Sequence, residues 1–121
     1  MAWWRTLFKF YRELRRIKFD SIAAVHQIII LHPEAGGFRV APRAHAAIPL
    51  DIMSITEGLV GAETFAAVSP SNNGKLKKDL EKLKARPEKH RYVFFMSPEF
   101  PGNIRRPQLE SGEIQVWSID V

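Results

Sequence analysis

The chain reads as a single α+β domain over residues 1–121, open to an α/β arrangement. It consists of one mixed sheet of about five strands with two amphipathic helices, in the order α-β-β-β-α-β-β. Three observations predict this. A capped basic stretch, Lys75 to Arg86, lies between two strand-like runs and implies a strand–helix–strand unit. Residues 2–18 carry a helical period with a broad aromatic face. The run from Phe38 to Leu50 alternates with a period of two.

The N-terminal stretch is the cleanest amphipathic pattern. Trp3, Trp4, Leu7, Phe8, Phe10, Tyr11, Leu14 and Ile17 fill one half of a helical wheel, and Arg5, Lys9, Arg12 and Arg16 lie in the other. That apolar half needs a docking surface. The protein's own sheet, a partner protein, a second copy in a homodimer, or a membrane interface all fit it. Trp3, Trp4, Tyr11 and Arg15 are the residue types that anchor protein interfaces.

Asp20-Ser21 breaks the pattern. The β-branched run Ile28-Ile29-Ile30 then predicts a strand over residues 24–32, ended by Pro33. On such a strand His26 and His32 share a face but stand too far apart to bind one metal ion. Glu34-Ala35-Gly36-Gly37 predicts the turn of a hairpin into the Phe38–Leu50 strand. In that strand Pro42 and Pro49 remove ladder donors and indicate an edge position or a bulge. Arg39, Arg43 and His45 make a small basic stripe on one face: a phosphate contact or an ordinary wet sheet face. Residues 51–61 are ambiguous between a short helix and an apolar loop.

Residues 62–68, AETFAAV, predict a strand that presents Glu63 and Phe65 on one side and stops before Pro70. Ser71, Asn72 or Asn73 can cap the following helix. Within it Leu76, Leu80 and Leu83 form a narrow apolar stripe, with Lys75, Lys77, Lys78, Lys82 and Lys84 outside it, and Pro87 ends the helix. RYVFFMS, residues 91–97, is continuously apolar, as in a central strand covered on both faces. Residues 98–112 have three prolines and no period, so they read as a long loop with Arg105-Arg106 at its middle. Ile114 to Ile119 predicts a last strand.

Composition sets bounds on function. With 45% hydrophobic residues the chain can form a core. It has no cysteine, which excludes disulfides, zinc–thiolate sites and thiol nucleophiles and fits a cytoplasmic compartment. No signal-peptide pattern is visible, and no apolar run approaches the roughly 18 residues of a spanning helix. The net charge of +5 is unevenly spread: residues 1–18 and 75–91 each carry +5, and the remainder carries −5. Basicity confined to two helices suits a polyanionic partner, or two solvated faces.

The order helix–strand–strand–strand–helix–strand, with the texture IPLD … AETFAAVSP … LKKDLEKL … RYVFFMSP, resembles the core of the PD-(D/E)XK, restriction-endonuclease-like superfamily. In that family an Asp near the end of the second strand and a Glu-x-Lys on the third converge on Mg²⁺, which activates water against a phosphodiester. The resemblance covers residues 1–97 and places Asp51 at the first ligand. One register puts Ala67 and Ser69 at the Glu and Lys positions and leaves a dead site. The other makes Glu63 the acid, puts Phe65 where Lys is expected, and requires a lysine of the next helix, such as Lys75 or Lys78. Asp51 and Glu63 are therefore the candidate metal-binding and catalytic pair, with Mg²⁺ as cofactor if the chain is a nuclease and no small-molecule cofactor otherwise.

The sequence-level expectation is a non-catalytic nucleic-acid-binding or accessory protein on a decayed nuclease-like fold. Lys75, Lys77, Lys78, Lys82, Lys84, Arg39, Arg43, Arg105 and Arg106 would contact phosphates. A protein-interaction module using the aromatic N-terminal helix is the alternative, and a Mg²⁺-dependent nuclease a further one. A ribonuclease of the toxin kind would draw on Arg43, His45, His90 and Tyr92.

Overall fold

The computed structural model describes residues 19–41, 49–70 and 74–120, with side chains from Ser21 onward in the first of these segments. The expected N-terminal helix over 2–18, with Trp3, Trp4, Tyr11 and Arg15, lies outside the described residues. So do Arg43, His45 and the capping candidates Ser71, Asn72 and Asn73. Helix α1 spans Phe19–Leu31. Strands β1 (Phe38–Val40), β2 (Ile52–Ser54) and β3 (Val60–Ala66) follow, then helix α2 (Lys75–Lys84), β4 (His90–Met96), β5 (Ile104–Arg105) and β6 (Ile114–Ser118).

The α+β class and the single mixed sheet are as the sequence predicts. Among the described residues the sheet has six strands in the order β1-β2-β3-β4-β6-β5. β1, β2 and β3 form an antiparallel meander. β3, β4 and β6 run parallel, and α2 supplies the crossover between β3 and β4. The strand expected at 24–32 is absent, and β2 and the two-residue edge strand β5, inside the long loop, bring the count to six.

The largest departure from prediction lies at residues 24–32. Residues 24–32 are not a strand but the body of α1 and its C-terminal residue. The buried positions Ser21, Ala24, Ile28 and His32 are spaced three, four and four, which is one helix face. Ile29 and Ile30 are about half or more exposed, at 51% and 63%. The β-branched run therefore misleads, because two of its three isoleucines pack nothing in the core and the tertiary fit of the third decides the element. The predicted hairpin at Glu34–Gly37 is instead a helix-to-strand turn, with a 3-10 turn at Pro33–Ala35 followed by Gly36 and Gly37 at φ 76° and 114°. Among the described residues the second expected strand keeps Phe38–Val40, at the sheet edge; Leu50 stands outside any strand, and the ambiguous 51–61 stretch contributes β2, a turn and the start of β3.

Alternation along β4 divides the core. Tyr92 and Phe94 face α1 and pack with Ala24, Ile28, Ile52, Ala62 and Ile119. Val93 and Phe95 face α2 and pack with Leu76, Leu80, Leu83, Phe65 and Val116. The leucine stripe of α2 is thus the buried face that its spacing predicts. Arg91 donates to the carbonyls of Leu83 and Arg86, at 3.0 and 3.4 Å, and so satisfies the C-terminal end of α2 from the next strand. No helix among the described residues is long and apolar enough to cross a membrane.

The helical assignment of residues 19–31 has a direct test. On a strand Ile28 and Ile30 would share a face; on α1 they do not. Ile28→Ala is expected to cost about 2–5 kcal/mol in urea unfolding and Ile30→Ala within about 0.5 kcal/mol. Equal losses would contradict the helix.

Candidate functional site

The antiparallel pairing of β2 with β3 sets Ile52 opposite Ala62 and Met53 opposite Gly61. One step further along the same register, Asp51 stands across from Glu63. Gly61 gives Leu50 room against β3: a Cβ there would lie 2.6 Å from Leu50 Cδ1 and 3.1 Å from Glu88 Cγ, so the tip of Leu50 would have to turn aside. The Asp51 carbonyl also accepts the Ala41 N–H at 2.8 Å, which ties it to the end of β1.

Glu63 points to the α2 side of the sheet and is 2% exposed. Its carboxyl group lies beside that of Asp51, close enough for the second acid to raise its pKa, and Lys82 Nζ comes within 2.7 Å of its Oε1. That approach is out of line for a hydrogen bond, so Oε1 is buried with charge compensation but no directional partner. Burial, followed by the adjacent Asp51 carboxylate, pushes the Glu63 pKa up to about 7, against the pull of Lys82. The two acids together hold a proton that an exposed pair would release.

Helix α2 brings a second polar group to the same place. Lys75, Asp79 and Lys82 are spaced four and three, so they form one stripe beside the leucines. Asp79 is buried and pairs with Lys75 at 2.9 Å. Burial works against the charge of Lys75, but Asp79, Glu63 and Asp51 together hold its pKa above the ordinary lysine value. α2 packs on β3, β4 and β6. On this side the sheet face over β1 and β2 carries Arg39, which aligns with Met53 and through it with Gly61. Arg39 and Met53 line an open groove of ≈ 330 Å³.

The structure therefore brings together Asp51 and Glu63 and adds Lys82 and Lys75. Of the two lysines singled out from the sequence for this role, Lys75 is nearby. Lys78 lies on the exposed side of α2 with Lys77. Lys84 leans toward Glu81 at 3.5 Å. Arg105 and Arg106 lie at the opposite edge of the sheet from Arg39. Arg105 makes a two-pronged pair with Glu110, each contact 2.8 Å. Arg106 binds Ser118 Oγ and the Pro101 carbonyl and covers the Phe100 ring. Of the basic residues grouped from the sequence, the eight that lie among the described residues do not form one continuous cationic surface, since Arg39 stands at one sheet edge and Arg105 and Arg106 at the other.

Sequence reasoning missed Lys82 in this role, as well as Asp79. The i, i+4, i+7 spacing from Lys75 was the signal that could have found both. His90 and Tyr92 lie elsewhere: the His32 ring stacks beside His90, its Nε2 contacts Tyr92 Oη at 2.5 Å and its Nδ1 contacts Glu34 at 2.9 Å. This cluster joins the end of α1 to β4, away from the acids. Among the described residues no group of three or more His, Cys, Asp or Glu side chains is placed to hold a metal ion. The available donor set is the pair of carboxyls.

The sequence matches no family model, and neither a curated protein nor a solved structure matches it.

The carboxyl pair has a pH signature. Glu63 titrates near 4.5 when unfolded and near 7 when folded. The folded protein holds the proton more tightly, so this contribution to stability is complete below pH 4.5 and is lost as pH rises to 7. Denaturant unfolding should show a loss of about 3 kcal/mol from this group across that window, absent in Glu63→Gln. Lys82→Met should move the Glu63 midpoint, followed by carboxyl NMR, still higher. A Glu63 midpoint near 4.5 would contradict the arrangement.

Proposed function

We propose that the protein is a divalent-cation-dependent phosphodiesterase acting on nucleic acid, with Asp51 and Glu63 as the ligands of the cation and Lys82 as the cationic group beside them. One observation carries this reading: Lys82 Nζ stands 2.7 Å from the buried Glu63 carboxyl, which the Asp51 carboxyl adjoins closely enough to raise its pKa. It is supported by the element order α1-β1-β2-β3-α2-β4, which resembles the restriction-endonuclease-like core. Phe65 occupies the place of that family's lysine, and Lys82 reaches the acid from the following helix instead.

The residues suit a hard cation. Mg²⁺ binds through one or two carboxylates and completes its shell with water and substrate phosphate oxygens. Glu63 Oε1, buried and met by the Lys82 ammonium at 2.7 Å without a well-aligned hydrogen bond, is an oxygen of the required kind. When bound, such a cation lowers the pKa of water and neutralises charge on a phosphoryl oxygen.

The chain's own groups have separable roles. Asp51 and Glu63 place two carboxyl groups side by side, where an added positive charge favours the ionised form of both. Lys82 keeps an ammonium where negative charge builds on the transferring phosphoryl group. Lys75, held by Asp79, adds a second positive group along the same stripe. Arg39, on the uncovered part of the same sheet face, meets a neighbouring phosphate. Lys77 and Lys78 supply sequence-independent, salt-sensitive affinity.

Incubation with labelled single- and double-stranded DNA and RNA tests the proposal. Cleavage is expected with Mg²⁺ or Mn²⁺ and none with EDTA. Asp51→Asn, Glu63→Gln and Lys82→Met should each lower the rate by about 10²-fold or more. Binding of nucleic acid with no cation-dependent turnover would replace this reading with the non-catalytic one.

A further inference from the structure

Asp51 is held from the far side of the sheet. Its Oδ2 accepts the Thr64 backbone N–H at 2.8 Å and the Thr64 hydroxyl at 3.2 Å. Thr64 Oγ1 lies 2.9 Å from Ser21 Oγ in the first turns of α1, and both residues are fully buried. With Thr64 donating to Asp51, the Ser21 hydroxyl is the donor to Thr64. A chain of hydrogen bonds thus runs from the α1 layer through the sheet to the carboxyl pair.

Packing alone does not call for these hydroxyls. The α1 side of the core is built from Ala24, Ile28, Ala62 and Phe94. Valine at 64 has the shape of threonine and the same branched stiffness, and alanine at 21 needs no partner. Two buried hydroxyls are costly there unless bonded, and here they are bonded to each other and to Asp51.

We infer that Thr64 and Ser21 are positioning residues for a divalent-cation site at Asp51 and Glu63, fixing the rotation of the Asp51 carboxylate so that it meets the ion together with Glu63. The inference rests on the reading of those two acids as ligands. Groups that orient a carboxylate ligand typically change metal affinity by about 10–100-fold when removed.

Mn²⁺ binding measured by calorimetry, and by the electron paramagnetic resonance signal of the free ion, tests it without any activity assay. Wild type should bind, and Glu63→Gln should abolish binding. Thr64→Val should weaken it about 10-fold or more, Thr64→Ser should restore it to within about threefold, and Ser21→Ala should lose a few-fold. Wild-type affinity in Thr64→Val, with binding abolished in Glu63→Gln, overturns the positioning role and leaves the cation site standing. No binding by wild type, or equal binding by Glu63→Gln, overturns both. Should Thr64→Val not fold, wild-type affinity in Ser21→Ala overturns the relay.

Discussion

A single acid buried in the middle of a strand constrains the whole α2 side of the molecule. Glu63 has apolar neighbours along β4 and β6 and almost no access to water. An isolated carboxylate there would cost several kcal/mol. Three responses surround it: a proton retained to about pH 7, the adjoining Asp51, and the Lys82 ammonium. Hydrophobic residues of similar volume would solve the packing problem more cheaply. Acids with such strongly raised pKa values beside a specific charge partner concentrate at sites that do chemistry.

The same acid explains the composition of α2. A helix that only covered a sheet would need the leucine stripe and a solvated remainder. This one carries a second stripe, Lys75–Asp79–Lys82, on the flank toward Glu63. Lysines that look like surface charge when counted are therefore partly structural. Lys82 compensates Glu63, Lys75 compensates the buried Asp79, and the cationic surface left by α2 is smaller than its sequence suggests.

The sheet gives the site both rigidity and access. β3, β4 and β6 form a parallel centre packed on both faces, so Glu63 and Thr64 sit on a backbone with little freedom. Asp51 comes from the antiparallel meander, just before β2, while α2 packs on β3, β4 and β6. The two acids therefore meet beside the part of the face that α2 covers. Thr64, alternating with Glu63, reaches the other layer and links Asp51 to α1.

Much of this was written in the local sequence. The leucine spacing of α2 and the unbroken apolar run of β4 each specify an element, because burial follows a helical or strand period. The closeness of Asp51 and Glu63 was legible as a cross-hairpin possibility. The state of residues 24–32 and the choice of Lys82 among five lysines were not. Apolar character marks a residue that can be buried, not one that is, and Ile29 and Ile30 remain exposed. Which lysine compensates Glu63 depends on how α2 lies across β3, a relation between residues 19 positions apart. It is set by the packing of Leu76, Leu80 and Leu83 rather than by anything near Lys82 in the chain.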